Sequence, residues 1–311
     1  MNPRMRVLVT GASGFIGGQF MKTFHGQVVT GLRCSRSKPG LVEQDLKDPM
    51  AVRECLESLR PEVVIHCAAR PNVDWCEVNP HEARSINLSP VKLLAETCAR
   101  LGAKIVFLST DYVFDGASGP YTETDETNPI NVYGCLKLEA EHAIARWTDD
   151  YLIVRTTNVY GFDPESKNFL MTLLPKLARR ERVHVASDQF GNPTTVKDLC
   201  SVVRDLITKG CAGTFHVAGP DLVHRAEWLR EAARAFGLDP GLVSGALTRE
   251  LDQPAPRPKK SGLVSACLQS VVTRRLTGLK DGLVQMRKEW VEHPAENIPG
   301  AMALWEGALN V

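Results

Sequence analysis

The sequence predicts an α/β protein built on a doubly wound parallel sheet, with a smaller C-terminal part interleaved with it. Two observations carry this expectation. Short apolar runs rich in Val and Ile recur at Arg6–Val9, Val28–Leu32, Val63–Cys67, Lys104–Leu108 and Leu152–Arg155. Unbroken rather than alternating apolar character suits strands buried on both faces. Longer amphipathic segments lie between them, at Phe15–His25, Pro49–Leu59, His81–Leu101 and Tyr133–Trp147. Alternation of this kind points to parallel strands joined by helical crossovers.

After Gly161 the pattern loosens. Lys167–Arg180, Thr195–Lys209 and Arg225–Phe236 read as helices and Thr214–Ala218 as another strand. Gln253–Lys260 holds three Pro in eight residues and reads as a loop. The expected organisation is a nucleotide-binding domain over residues 1–160, rejoined by 187–218. Residues 161–186 and 219–311 form the part that covers the substrate.

Composition narrows the function classes. The 311 residues carry a net charge of +1, which gives no long-range pull toward nucleic acid or an anionic membrane. Basic residues are not banded with aromatics, as a nucleic-acid face requires. No apolar stretch approaches the roughly 18 residues of a membrane span. The run Val7–Val9 is too short for a secretory signal, so the cytoplasm is the expected location. Nine scattered Cys, none in CxxC or at metal-ligand spacing with His, read as reduced, buried thiols and not as a metal site. Cys135 stands apart because it lies between Tyr133 and Lys137.

The first run leads into Gly11-Ala12-Ser13-Gly14-Phe15-Ile16-Gly17, a GxxGxxG between strand and helix. Gly11 permits the tight turn, Gly14 the approach of backbone N–H groups to a pyrophosphate, and Gly17 close helix–strand packing. The helix N-terminus then faces phosphate with free N–H groups. Residues Gly11, Ser13, Gly14, Phe15, Ile16 and Gly17 are therefore expected to bind a dinucleotide. The second strand ends in Arg33-Cys34-Ser35-Arg36-Ser37-Lys38, without the carboxylate that would bond a ribose 2′-OH. Arg33 and Arg36 suit a 2′-phosphate, so NADP(H) is expected over NAD(H). Asp45 and Leu46 precede a helix at the adenine end. His66-Cys67-Ala68-Ala69 closes a strand with small residues against which a flat ligand can pack, and Cys67, Ala68 and Ala69 join the cofactor set. His66 reads as a strand-end core histidine.

Strand Lys104–Leu108 ends in Ser109-Thr110-Asp111-Tyr112, and Tyr133-Gly134-Cys135-Leu136-Lys137 opens a later helix. Residues i and i+4 share a helical face, so Tyr133 and Lys137 project together. The Lys137 ammonium, with an oxidised nicotinamide, would favour tyrosinate and bring Tyr133 into use as a general acid or base. Tyr133 and Lys137 would also contact the cofactor. A hydroxyl from Thr110 can bond the same substrate oxygen.

With these motifs in hand, the chain resembles the extended short-chain dehydrogenase/reductases and, within them, the dTDP-4-dehydrorhamnose reductase family. The resemblance spans roughly residues 5 to 275. It rests on STDYVFDG (Ser109–Gly116), ETDETNPINVYGCLKLEAE (Glu123–Glu141) and DQFGNPTTVKDL (Asp188–Leu199), with weaker support from NVDWCE (Asn72–Glu77) and RPKKSGL (Arg257–Leu263). It implies a Rossmann domain with an interleaved substrate domain, Thr110, Tyr133 and Lys137 as catalytic residues, a nucleotide-sugar substrate and a homodimer. Dehydratases of the superfamily carry Asp-Glu after the Thr, whereas this chain has Asp111-Tyr112. Epimerases keep an acidic residue where this chain has Arg33. Both differences favour simple 4-keto reduction of a nucleotide-linked 6-deoxyhexose.

Asn158, Asn168, Arg257 and the Gly191–Thr194 loop are candidates to cradle the sugar nucleotide, and Asn87 to hold the active-site strand end. Asn158 stands where the rhamnose-pathway reductases commonly carry Trp, and the tail from about Asp281 has no counterpart in the resemblance. Two alternatives follow. One is a different ketone reductase or an epimerase on the same site. The other is a non-catalytic NADP-binding subunit resembling the methionine adenosyltransferase β subunit, which shares the STDYVFDG-like and GTFH (Gly213–His216) segments.

Overall fold

A computed structural model describes residues 4–34, 38–165 and 168–293. Seven parallel strands form one sheet, in the order Gly213–His216, Tyr151–Thr156, Lys104–Thr110, Val63–His66, Arg6–Thr10, Val28–Arg33 and Val42–Glu43. The order reverses between Arg6–Thr10 and Val63–His66. At such a switch point the loops leaving adjacent strands diverge and open a crevice at their carboxyl ends.

Both faces of the sheet are covered, which explains the unbroken apolar runs. Val7, Val9, Ile65, Val106 and Val154 pack to one side with Phe20 of helix Phe15–Thr23 and Leu199, Val202 and Val203 of helix Val196–Thr208. Leu8, Val64, Ile105 and Phe107 alternate to the other side, against helices Pro49–Leu59, Ser89–Leu101 and Val132–Trp147. Each fully buried Leu, Val or Phe contributes about 1.5–3 kcal/mol relative to exposure. A separate core joins Tyr160, Leu170, Leu174, Val183, Trp228, Leu229 and Phe236 to Leu283, Met286 and Trp290. These last three belong to helix Leu279–Glu292, so the tail from Asp281 is integral to the fold as far as it is described.

The predicted helix His81–Leu101 is two helices, Pro80–Asn87 and Ser89–Leu101. Pro90 accounts for the break: it has no N–H to bond backward, and it stands in the first turn of the second helix, where none is needed. Helix Val73–Val78, capped by the Asn72 side chain on Trp75 N at 2.8 Å, went unpredicted because it is only six residues long. The pairing of Val183–Ala186 with Val243–Ala246 also went unpredicted. No helix among the described residues is long and apolar enough to cross a membrane.

Candidate active site

A cleft of about 690 Å³ opens at the switch point. Gly11, Ser13, Gly14, Phe15, Ile16, Gly17, Arg33, Asp45, Leu46, Cys67, Ala68 and Ala69 all line it. Its floor needs glycine. A Cβ on Gly17 would stand 2.2 Å from the Gly11 carbonyl oxygen, and one on Gly11, at φ +66°, would stand 2.7 Å from Ala68 N. With neither atom present, helix and turn close together and the helix N-terminus is brought to the crevice. His66 lies behind the floor, fully buried, with Nδ1 sharing a hydrogen bond with Thr10 Oγ1 at 2.8 Å. Burial, reinforced by the Lys137 charge, pulls its imidazole down to about 3, so it stays neutral.

At the far end of the cleft, Arg33 is not an isolated cation. Its guanidinium meets Glu43 at 2.7 Å, on the neighbouring short strand. Arg36 lies outside the described residues. Asn168, expected to contact the substrate, lines this cleft. Its side chain caps helix Phe169–Ala178 by accepting from Met171 N at 3.1 Å and donates to Gly161 O at 3.0 Å.

Thr110 ends strand Lys104–Thr110 and is buried, with its hydroxyl accepting from Tyr112 N at 3.2 Å. Tyr133 and Lys137 sit in the first turns of helix Val132–Trp147, whose start is fixed by the Asn131 side chain accepting from Gly134 N at 2.8 Å. That start rests on the Asp111–Val113 turn, since a Cβ on Gly134 would stand 2.1 Å from Tyr112 O. The Tyr112 and Tyr133 rings meet edge to face at 6.4 Å. Lys137 is buried. Its ammonium donates to Leu108 O at 2.8 Å and lies 5.8 Å from the centre of the Tyr133 ring. Helix and strand end are thereby tied together, with Lys137 beside Tyr133 and bonded to the carbonyl two residues before Thr110.

Burial pushes the Tyr133 phenol above its ordinary range, and nearby Cys76, Asp111 and Tyr112 push the same way. The Lys137 ammonium is bonded to the Leu108 carbonyl. Burial also brings the Lys137 ammonium down to about 8. In the protein alone, Tyr133 is thus held as a proton donor.

Sequence reasoning gave Asp111 no role of its own. It is buried beside Thr110, and its carboxylate accepts from Thr110 Oγ1 at 3.2 Å, Thr157 Oγ1 at 2.9 Å and Ser261 Oγ at 2.5 Å. These bonds tie the sheet to the C-terminal segment at the reaction end. Asn158 stands in the left-handed region at φ 48°, with its amide against Gly191. Arg257, expected at the sugar nucleotide, is engaged within the protein. It is buried in an ion pair with Asp74 at 2.7 Å and bonds Ala255 O at 3.3 Å, which fastens the Pro-rich loop to helix Val73–Val78. Asn87 accepts from Arg70 N at 2.8 Å and donates to Arg70 O at 3.2 Å, so it secures the loop after Ala69. All nine Cys are free, but Cys34 and Cys135 are exposed, contrary to the expectation of burial. Partial loss of solvent around its sulfur, with the Glu77 and Glu139 charges nearby, raises the Cys135 thiol and disfavours the thiolate. No group of His, Cys, Asp or Glu among the described residues could hold a metal ion.

Comparison with known proteins agrees with this geometry. The family model of the RmlD substrate binding domain matches residues 5–291. A dTDP-4-dehydrorhamnose reductase of Streptomyces griseus is 36% identical over 270 residues, covering 84% of this chain and 86% of its own. Methionine adenosyltransferase 2 subunit beta of Rattus norvegicus is 31% identical over 293 residues, covering 90% and 86%. The crystal structure of a dTDP-4-dehydrorhamnose reductase from Bacillus anthracis in complex with NADP superposes with a TM-score of 0.84 at 29% identity, covering 92% of this chain and 99% of that one. By the extent of the family match, and with its motifs assembled at the sheet's switch point, the chain belongs to the RmlD substrate-binding-domain family.

Proposed function

We propose that this protein reduces the 4-keto group of a nucleotide-linked 6-deoxyhexose with NADP(H). One observation carries the reading: the Lys137–Leu108 bond fastens the helix that carries Tyr133 to the strand that ends in Thr110. The named reductases among the relatives support it. The glycine floor and Arg33 suit a phosphorylated dinucleotide, with Arg33 sharing its charge between Glu43 and a 2′-phosphate. A dinucleotide in the cleft would supply the hydride.

The side chains do the rest. Thr110 orients the substrate carbonyl and donates to its oxygen as negative charge develops. Tyr133, kept protonated by burial, gives its proton to that oxygen as C4 accepts hydride, and is reprotonated from solvent. Lys137 holds the strand end and offers its ammonium to the cofactor ribose. In the protein alone the Thr110 hydroxyl proton goes to Asp111, so Thr110 must turn it from Asp111 to donate to the substrate oxygen. Residues 1–160 with 187–218 serve the cofactor, and 161–186 with 219–311 the substrate.

Product analysis tests this reading. With a dTDP-linked 4-keto-6-deoxyhexose and NADPH deuterated on the transferable position, NMR should find a C4 alcohol carrying one deuterium. Epimerised sugar without net loss of NADPH would replace this reading with an epimerase. A second reading has its own support in the 31% identity to a methionine adenosyltransferase subunit. It predicts that the protein binds NADPH without turnover and co-purifies with a partner enzyme.

A further inference from the structure

The helix that carries Tyr133 and Lys137 holds a further charged side chain to which the mechanism gives no part. Glu141 follows Lys137 by four residues, so the two share a helical face, and it is buried. Lys137 donates to the Leu108 carbonyl, and Glu141 accepts from the hydroxyl of the next residue, Ser109. One helix face thus clasps two successive residues of strand Lys104–Thr110. Arg155 fastens the same carboxylate from the neighbouring strand, with Nε donating to Oε1 at 3.1 Å and Nη2 to Oε2 at 2.7 Å. It stands opposite Ser109 in the sheet register. Desolvation offsets much of the attraction within a buried ion pair, so stability alone gives little reason for ions here.

The surroundings of Lys137 supply a reason. Burial lowers its ammonium, and Cys67, Glu141 and Cys76 act to raise it again. Cys67 directly follows strand Val63–His66, and Cys76 lies on helix Val73–Val78. Burial pushes both thiols up, so neither is an anion at neutral pH. His66 and Tyr133, which also face Lys137, are kept neutral by burial. The cation Arg155 is paired with Glu141 itself. Of these groups, Glu141 is the one anion that can balance Lys137 at neutral pH.

We infer that Glu141 is a positioning residue that acts through Lys137: held in place by Ser109 and Arg155, it is the counter-charge that keeps the Lys137 ammonium on the Leu108 carbonyl. The inference rests on the proposed function, and deepens it by naming the group that keeps Lys137 ready for the cofactor ribose. Glu141 touches neither cofactor nor substrate in this role. Its charge does its work one turn of helix away, and the bonds to Ser109 and Arg155 stop the carboxylate from turning out of reach.

The test uses the full-length protein with lysine labelled by 13C at Cε. The Lys137 signal is assigned by its loss in Lys137→Arg, and its titration is followed by NMR. Glu141→Gln, which keeps an acceptor for Ser109 but removes the charge, should lower the Lys137 midpoint by about one pH unit. The alkaline limb of kcat/KM on the dTDP-linked ketone should move down with it, which is a loss of about fivefold at pH 8 and little loss at pH 6. Ser109→Ala, which keeps the charge, should leave the midpoint where it is. Circular dichroism checks folding, and Glu141→Gln joined to Arg155→Met, which leaves no unpaired buried cation, serves if the single variant does not fold. An unmoved midpoint in a folded Glu141 variant, or an equal fall in Ser109→Ala, would overturn the inference. A midpoint that depends on Glu141 in a protein that oxidises no NADPH would leave it standing and sink the reductase reading alone.

Discussion

Tyr133 and Lys137 are both buried, and burial pushes each toward its neutral form. Tyr133 therefore keeps its proton through the neutral range, as a donor to a ketone must. Lys137 is charged below about 8 and loses that charge above it. The kcat/KM for reduction should accordingly be level below this pH and fall above it. Lys137→Arg, which stays charged, should carry the fall to higher pH, and a fall at an unchanged pH would assign the limb to another group. Asp111 contributes differently. Asp111→Ala would strip the Thr157 and Ser261 hydroxyls of their acceptor in a buried site. The expected loss in denaturant unfolding is about 1–3 kcal/mol, and a smaller loss would mean that water substitutes easily there.

Glycines decide how the elements meet. Gly17→Ala would force a Cβ to 2.2 Å from the Gly11 carbonyl, a backbone atom that cannot swing aside. The helix must back away from the crevice, so NADP affinity should fall together with about 1–3 kcal/mol of stability. Full NADP affinity in that variant would show that the glycine floor does not shape the cofactor site. The close helix–strand approach was legible from the GxxGxxG spacing, because the constraint is local in sequence. Other features were not legible. Arg257 was expected at the sugar, but its partner Asp74 is 183 residues away in the chain, and sequence alone gives no sign of that pairing. The position of Asn168 just before Phe169–Ala178 also makes it a helix cap, a role that its residue type favours and that the substrate reading left out. Asp111 was passed over because it gains meaning only when Thr157 and Ser261 fold onto it.

The whole molecule depends on two histidines that remain uncharged inside it. Burial holds His66 at about 3 and His216 at about 4, against an ordinary 6.5. The unfolded chain takes up protons as pH falls below 6.5, while the folded protein does not. Stability is thus full above 6.5 and drains away as pH falls toward these lower values. The melting temperature should drop over that interval, and His66→Asn should flatten the drop; an unchanged slope would place the acid sensitivity elsewhere. At the same scale, a dinucleotide in the switch-point cleft and Tyr133 are proposed to act together on a ketone. The most direct measurement follows NADPH oxidation with a dTDP-linked 4-keto-6-deoxyhexose in the wild type and in Tyr133→Phe. The account predicts turnover in the wild type and a loss of about 10²–10⁴-fold in the variant, with NADPH still bound. Undiminished turnover in Tyr133→Phe, or none in a wild type that binds both ligands, would contradict it.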